Sequence, residues 1–171
     1  MSQPVEEPAL VELFRFNTWA TLKLLDVCAR LDDAQLNWTA PGTFGSIRDT
    51  LTHLSGSEGG YVYQLTGERP SIPLKEDAFL GIPALRERAR WFGTQLAQKA
   101  ATVRRDDTFQ SEWQGEIETV NCLTVLTQAL VHGVDHRSQI ATILSQHAIE
   151  PPDIDSWAYA EEMKQAERQP A

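Results

Sequence analysis

The chain has 171 residues, 42% hydrophobic and 23% charged, with a formal net charge of -9. This is the composition of one ordinary soluble domain, read as residues 1–171 with a core from about 9 to 148 and a C-terminal extension over 149–171. An acidic balance without a basic cluster excludes nucleic acid and anionic membrane surfaces as partners, because both would repel it.

From the N-terminus, a short polar leader lacks a basic stretch followed by an apolar core, and no apolar run reaches membrane-spanning length. A cytoplasmic protein is the expectation. Leu10, Phe14, Asn17, Thr21, Leu24, Cys28 and Leu31 then recur at alternating spacings of four and three, widened by Leu13 and Leu25. That is the apolar stripe of an amphipathic helix of about six turns, with Asn17 a buried polar residue that must bond to a neighbouring helix. Asp33 to Thr43 reads as a loop with room for one helical turn, broken at Pro41-Gly42.

Ser46, with Asp49 three residues on, is a capping-box pair that starts a second helix. Ile47, Leu51, Leu54, Tyr61 and Leu65 share one side of it, and His53 lies on the flank of that stripe. Gly67 and Pro70 end it. The connection from Gly67 to Ile82 is longer than adjacent antiparallel helices need, so it predicts a crossover to a third helix parallel to the second. Pro83 suits that helix's first turn, and Leu85, Ala89, Phe92, Leu96, Ala100 and Val103 form its stripe. Asp106 to Val120 is polar, and its weak alternation around Trp113 and Ile117 predicts a loop with at most two very short strands.

A fourth helix is predicted over Asn121 to Ser145. It is apolar around much of its circumference, as a helix is that also covers a subunit interface. Pro151-Pro152 stop it, and Asp155 or Ser156 can cap a short last helix through Trp157, Tyr159 and Met163, whose charged run Glu161 to Arg168 is a solvated face. The pattern is all-α, a helix bundle. Cys28 and Cys122, without CxxC spacing, are expected as free buried thiols, and the five tryptophans as core or interface anchors.

The chemistry rests on the fourth helix. His132 and His136, one turn apart on one face, can ligate one metal ion, and His53 from the second helix can supply a third imidazole. Three neutral imidazoles leave a coordination position open, as in catalytic zinc sites. Gly133 stands where the metalloprotease helix carries its glutamate, so that chemistry is excluded. Gln139 points about 20° from the histidine direction and is placed to touch the pocket. Asp135 and Arg137 are further candidates around the ligands, with Arg137 angled toward the subunit boundary or a carboxylate. Glu58 is a candidate acid or base, or a member of a salt bridge. Cys122 lies roughly 15 Å from His132 along the axis, too far to join the site. His147 is expected to interact with the helix dipole and the last carbonyls.

In order, Asn17-Thr18-Trp19-Ala20, Phe44-Gly45-Ser46-Ile47-Arg48-Asp49-Thr50-Leu51-Thr52-His53 and His132-Gly133-Val134-Asp135-His136-Arg137-Ser138-Gln139-Ile140 resemble the DinB/YfiT-like family, from about Leu10 to Tyr159. The resemblance implies a four-helix bundle in an up-down-down-up arrangement. It implies a divalent metal on His53, His132 and His136 and frequently a homodimer; as a ligand set, three histidines suit zinc or nickel first, with iron as a further choice. It also implies transferase or isomerase chemistry with a low-molecular-weight thiol. Two other functions are consistent with the residues: a metal-dependent hydrolase, with water in place of the thiol, and a non-catalytic stress-related binding bundle.

Overall fold

The computed structural model describes residues 8–69 and 78–168. The chain folds as α1 (Ala9–Cys28), a single turn α2 (Asp33–Leu36), α3 (Ile47–Thr66), α4 (Ile82–Thr102), the strands β1 (Thr108–Trp113) and β2 (Glu116–Asn121), α5 (Cys122–Gln146) and α6 (Ser156–Arg168). The four long helices close a ring, in which α1 packs on α4, α4 on α3, α3 on α5 and α5 back on α1. Residues 70–77, which belong to the expected crossover, lie outside the described residues.

Local chemistry sets the ends. Ser46 and Asp49 form a reciprocal capping box at the start of α3, and Asp32 with Gln35 forms another around α2. Gly67, at φ +75°, turns the chain out of α3 in a left-handed conformation that side chains disfavour. At α6 it is Asp155 that caps, its Oδ1 accepting from the amides of Trp157 and Ala158 at 2.8 Å each. Tyr159 then packs against Phe16 and Trp19 of α1, and Lys23 pairs with Glu162 at 2.6 Å.

The polar stretch after α4 is more ordered than the sequence suggested. It makes an antiparallel hairpin of two six-residue strands, with Phe109 opposite Val120. Its two-residue turn, Gln114-Gly115, has φ of +52° and +85° at its centre. That double left-handed turn matches strand twist, and Gly115 makes it accessible. Phe109 and Val120 lean on the core, while the outer residues face water. Asn121 ends β2 and caps α5 directly, accepting from the Leu123 amide at 2.8 Å.

The core consists of two hydrophobic layers. One joins Leu24, Leu25 and Cys28 of α1, Ile47 and Leu51 of α3, Leu85 and Ala89 of α4, and Ile140, Ile143 and Leu144 of α5. The other joins Val11 and Phe14, Val62 and Leu65, Phe92, Leu96 and Ala100, and Cys122, Val125, Leu126 and Ala129 of the same four helices. Between them every long helix places a buried polar residue: Asn17 and Thr21 on α1, Glu58 on α3, Arg88 on α4, Arg137 on α5. The interior is thus apolar, then polar, then apolar. Both cysteines are free and buried, and burial pushes the Cys28 thiol up to about 12. Leu13, expected within the α1 stripe, is instead 49% exposed.

Close packing of α1 on α4 depends on Gly93, where an added Cβ would lie 2.0 Å from Thr18 Oγ1 and 2.8 Å from its Cβ. Alanine normally improves a helix interior by about 1 kcal/mol over glycine. Here Gly93→Ala is expected to destabilise by roughly 1–3 kcal/mol through overpacking, with Thr18→Ala in the same chain recovering part of the loss. Chemical denaturation measures both; a stabilised Gly93→Ala chain would contradict this contact.

Candidate metal centre

The α3–α5 contact brings three imidazoles to one point. His53 Nε2 lies 3.0 Å from His132 Nε2, and His136 Nε2 lies 3.1 Å from the same atom. All three ligand nitrogens lie within 4.8 Å of one another, close enough for one ion to touch all three. His136 is buried, and His53 and His132 are partly exposed. The cluster therefore opens to solvent on one side.

Hydrogen bonding fixes the tautomer of His136. The Phe44 amide donates to Gln139 Oε1 at 2.9 Å, and Gln139 Nε2 donates to Asp135 Oδ2 at 3.0 Å. Gln139 Oε1 is thus an acceptor, and His136 Nδ1, 3.2 Å from it, must carry the proton. That leaves the lone pair of His136 on Nε2, facing the other two rings. A carboxylate–amide–imidazole chain of this kind orients and strengthens a metal ligand. His132 Nδ1 is buried without a partner, so Nε2, facing the cluster, is where this ring makes its polar contacts.

The electrostatics favour neutral rings. Burial, then repulsion from His136 and His53, brings His132 down to about 4 against a smaller upward pull from Asp135. Burial first, and then His136, also lowers His53. Near neutral pH, His53 and His132 therefore offer lone pairs rather than protons, which is what a metal ion requires.

Phe44, which sequence reasoning gave no role, clamps the site. Its ring stacks on His53 at 4.2 Å and 17° and meets His136 edge-on at 5.4 Å. Tyr61 contacts His132 edge-on at 5.8 Å, as its position two turns beyond His53 allows. His147 lies apart, its ring stacked on Trp38 at 4.0 Å while its backbone amide bonds the last carbonyls.

Of the four residues expected around the ligands, the structure brings Gln139 and Asp135 to His136 and places Arg137 and Glu58 elsewhere. Arg137 is 2% exposed and does not reach a subunit boundary. Its Nη1 donates to Asn17 Oδ1 at 2.8 Å and Thr21 Oγ1 at 3.0 Å. A Cβ on Gly133 would come within 2.7 Å of Asn17 Oδ1 and 2.9 Å of Arg137 Nη1, so it would displace the contact between these two side chains. Glu58 accepts weakly from Asn17 Nδ2 at 3.5 Å, and burial pushes it up to about 7 despite Arg137, Asn17 and Arg88. It belongs to the polar belt. Among the described residues no helix is long and apolar enough to cross a membrane.

A family model described as the DinB family matches residues 1–169. Comparison with curated proteins finds no match.

His132 and Glu58 give opposite pH signatures in the metal-free protein. His132 falls from an ordinary 6.5 to about 4 on folding, so its contribution is full above 6.5 and is lost as pH drops toward 4. Glu58 rises from 4.5 to about 7, so its contribution is full below 4.5 and is lost as pH rises through 7. Relative to the native chain, His132→Asn should gain stability on acidification from pH 7 to 5, and Glu58→Gln should lose it. Parallel pH–stability curves for all three chains would refute both assignments.

Proposed function

The chain belongs to the DinB family, and from that premise and the geometry of the three imidazoles we propose a metal-dependent enzyme. His53, His132 and His136 hold one divalent ion, zinc or nickel before iron. The reaction is transfer to, or isomerisation of, a small electrophile by a low-molecular-weight thiol. The observation that carries this reading is the His136 lone pair, fixed on Nε2 by Gln139 and aimed at two further imidazole nitrogens. When bound, such an ion lowers the pKa of a thiol or water at its open position. Neutral ligands leave the ion's charge undiminished, which strengthens that effect.

The chain's own residues then have distinct duties. Gln139, anchored by Asp135 and the Phe44 amide, holds the His136 ring in one orientation and one tautomer. The Phe44 ring covers His53 and His136 and keeps water from that side. The partly exposed His53 and His132 border the route by which a substrate arrives. Among the described residues Asp135 is the carboxylate nearest in sequence to the ligands, and Gln139 engages it. A water at the open position would be activated by the same lowered pKa, so a metal-dependent hydrolase is the alternative reading.

The proposal includes the form of the protein. A single domain with an up-down-down-up four-helix bundle is supported by the core layers: the C-terminal halves of α1 and α5 meet the N-terminal halves of α3 and α4 in one layer, and the converse holds in the other. A homodimer is supported by Val131 and Val134, 59% and 50% exposed on α5.

Elemental analysis of the untagged chain tests the centre. About one divalent ion per chain is expected, and none in a His132→Ala, His136→Ala double variant. Gln139→Leu should keep the three nitrogens but bind metal roughly 10–100-fold more weakly, because the tautomer is no longer imposed. A native chain that takes up no divalent metal when supplied with it leaves a non-catalytic bundle as the reading.

A further inference from the structure

The polar belt carries an electrical imbalance. The buried acidic and guanidinium side chains among the described residues are Glu58, Arg88 and Arg137, two guanidiniums against one carboxylate. Arg137 is met by Asn17 and Thr21, and it is the first charge to act on Glu58, ahead of Arg88. Arg88 is less well supplied. It is 3% exposed, its Nη2 donates to the Ser55 carbonyl at 3.2 Å, and its Nε is buried without a partner. The Ser55 hydroxyl is buried without a partner as well. Buried donors in native proteins are nearly always paired, so two together in one place point to a missing acceptor.

That place has room for one. Arg88 and Ser55 line a cavity of about 500 Å³ along α3. Gly56 and Gly60 also line it, and a Cβ added at either would meet nothing within 4 Å. His53 lines the same cavity, so one of the three imidazoles borders it. Its volume falls within the range of small-molecule sites.

We propose that this cavity is the substrate site of the centre and receives a small molecule through a carboxylate end, bound by Arg88 and the Ser55 hydroxyl, with the remainder lying over Gly56 and Gly60 toward His53. The carboxylate supplies a counter-charge to Arg88, which otherwise shares Glu58 with Arg137, and guanidinium–carboxylate pairing is among the stronger hydrogen-bonded contacts. The direction toward His53 rests on the metal-centred function above; the carboxylate end does not.

The test is calorimetric titration of the full chain, metal-free and nickel-loaded, with straight-chain carboxylates from acetate to octanoate and primary alcohols of matching length. Carboxylates should bind in preference to alcohols in both forms. Arg88→Gln should weaken carboxylate binding roughly tenfold or more while leaving Glu58 its partner Arg137. Gly60→Leu should fill the cavity and abolish binding while metal uptake is unchanged. Equal binding of alcohols and carboxylates, or native-like carboxylate binding by Gly60→Leu, overturns the proposal even if Arg88→Gln fails to fold. A chain that binds carboxylates through Arg88 but takes up no metal keeps the anion site and removes the metal-centred function. Metal uptake without carboxylate preference does the reverse.

Discussion

The arrangement depends on one buried guanidinium. Arg137 is almost fully enclosed, and it is tolerable there because Asn17 and Thr21 of α1 give it oxygen acceptors and Glu58 of α3 gives it a nearby negative charge. Stripping a buried ion of its partner costs about 3–5 kcal/mol, more than most single apolar contacts supply. The contact therefore sets how α5 is rotated about its own axis relative to α1. Since His136 is the preceding residue, that rotation also decides where its imidazole points. Gly133 belongs to the same device, since a Cβ there would press on the Asn17 and Arg137 atoms that meet beside it.

The site adds a second constraint across α3 and α5. A stretch just before α3 folds back so that the Phe44 amide reaches Gln139, ninety-five residues on. One amide side chain is thereby held by a backbone donor and a carboxylate at once, and it passes that order to His136. Orientation is thus imposed on the imidazoles from several directions. Rings prearranged in this way lose little conformational freedom when they take a ligand.

Much of this was legible in the sequence, and the reasons differ by element. The four long helices showed as stripes at helical spacing because one face of each is buried. His53, His132 and His136 could be grouped because HxxxH places two rings on one face and the flank of α3 was free to face them. The hairpin was harder to see. Among the described side chains only Phe109 and Val120 lean on the core, so little apolar alternation marks its strands, and Gln114-Gly115 lacks the Asn or Asp that usually announces such a turn. The wheel angle of Arg137 pointed away from the histidines, but an angle on one helix names no neighbour. Asn17 stood out as a polar residue in an apolar stripe, and it proved to be the partner that the arginine needed. Phe44 stood at the head of a family-like segment but without a role, because its role arises only when a loop closes over residues distant in sequence.

The alternation of apolar, polar and apolar strata along the helix axes has a consequence for how the sequence can drift. Residues in the two hydrophobic layers form separate clusters, so substitutions far apart in the two layers act on stability nearly independently. Each layer can explore its own combinations of leucine, isoleucine and phenylalanine. The belt has no such latitude: Asn17, Glu58, Arg137 and Gly133 are one interlocked unit, and a change at any of them alters what the others can be. The fold thus couples its freedom to vary at both ends with a rigid grammar at the middle, where the helices that carry the chemistry are joined.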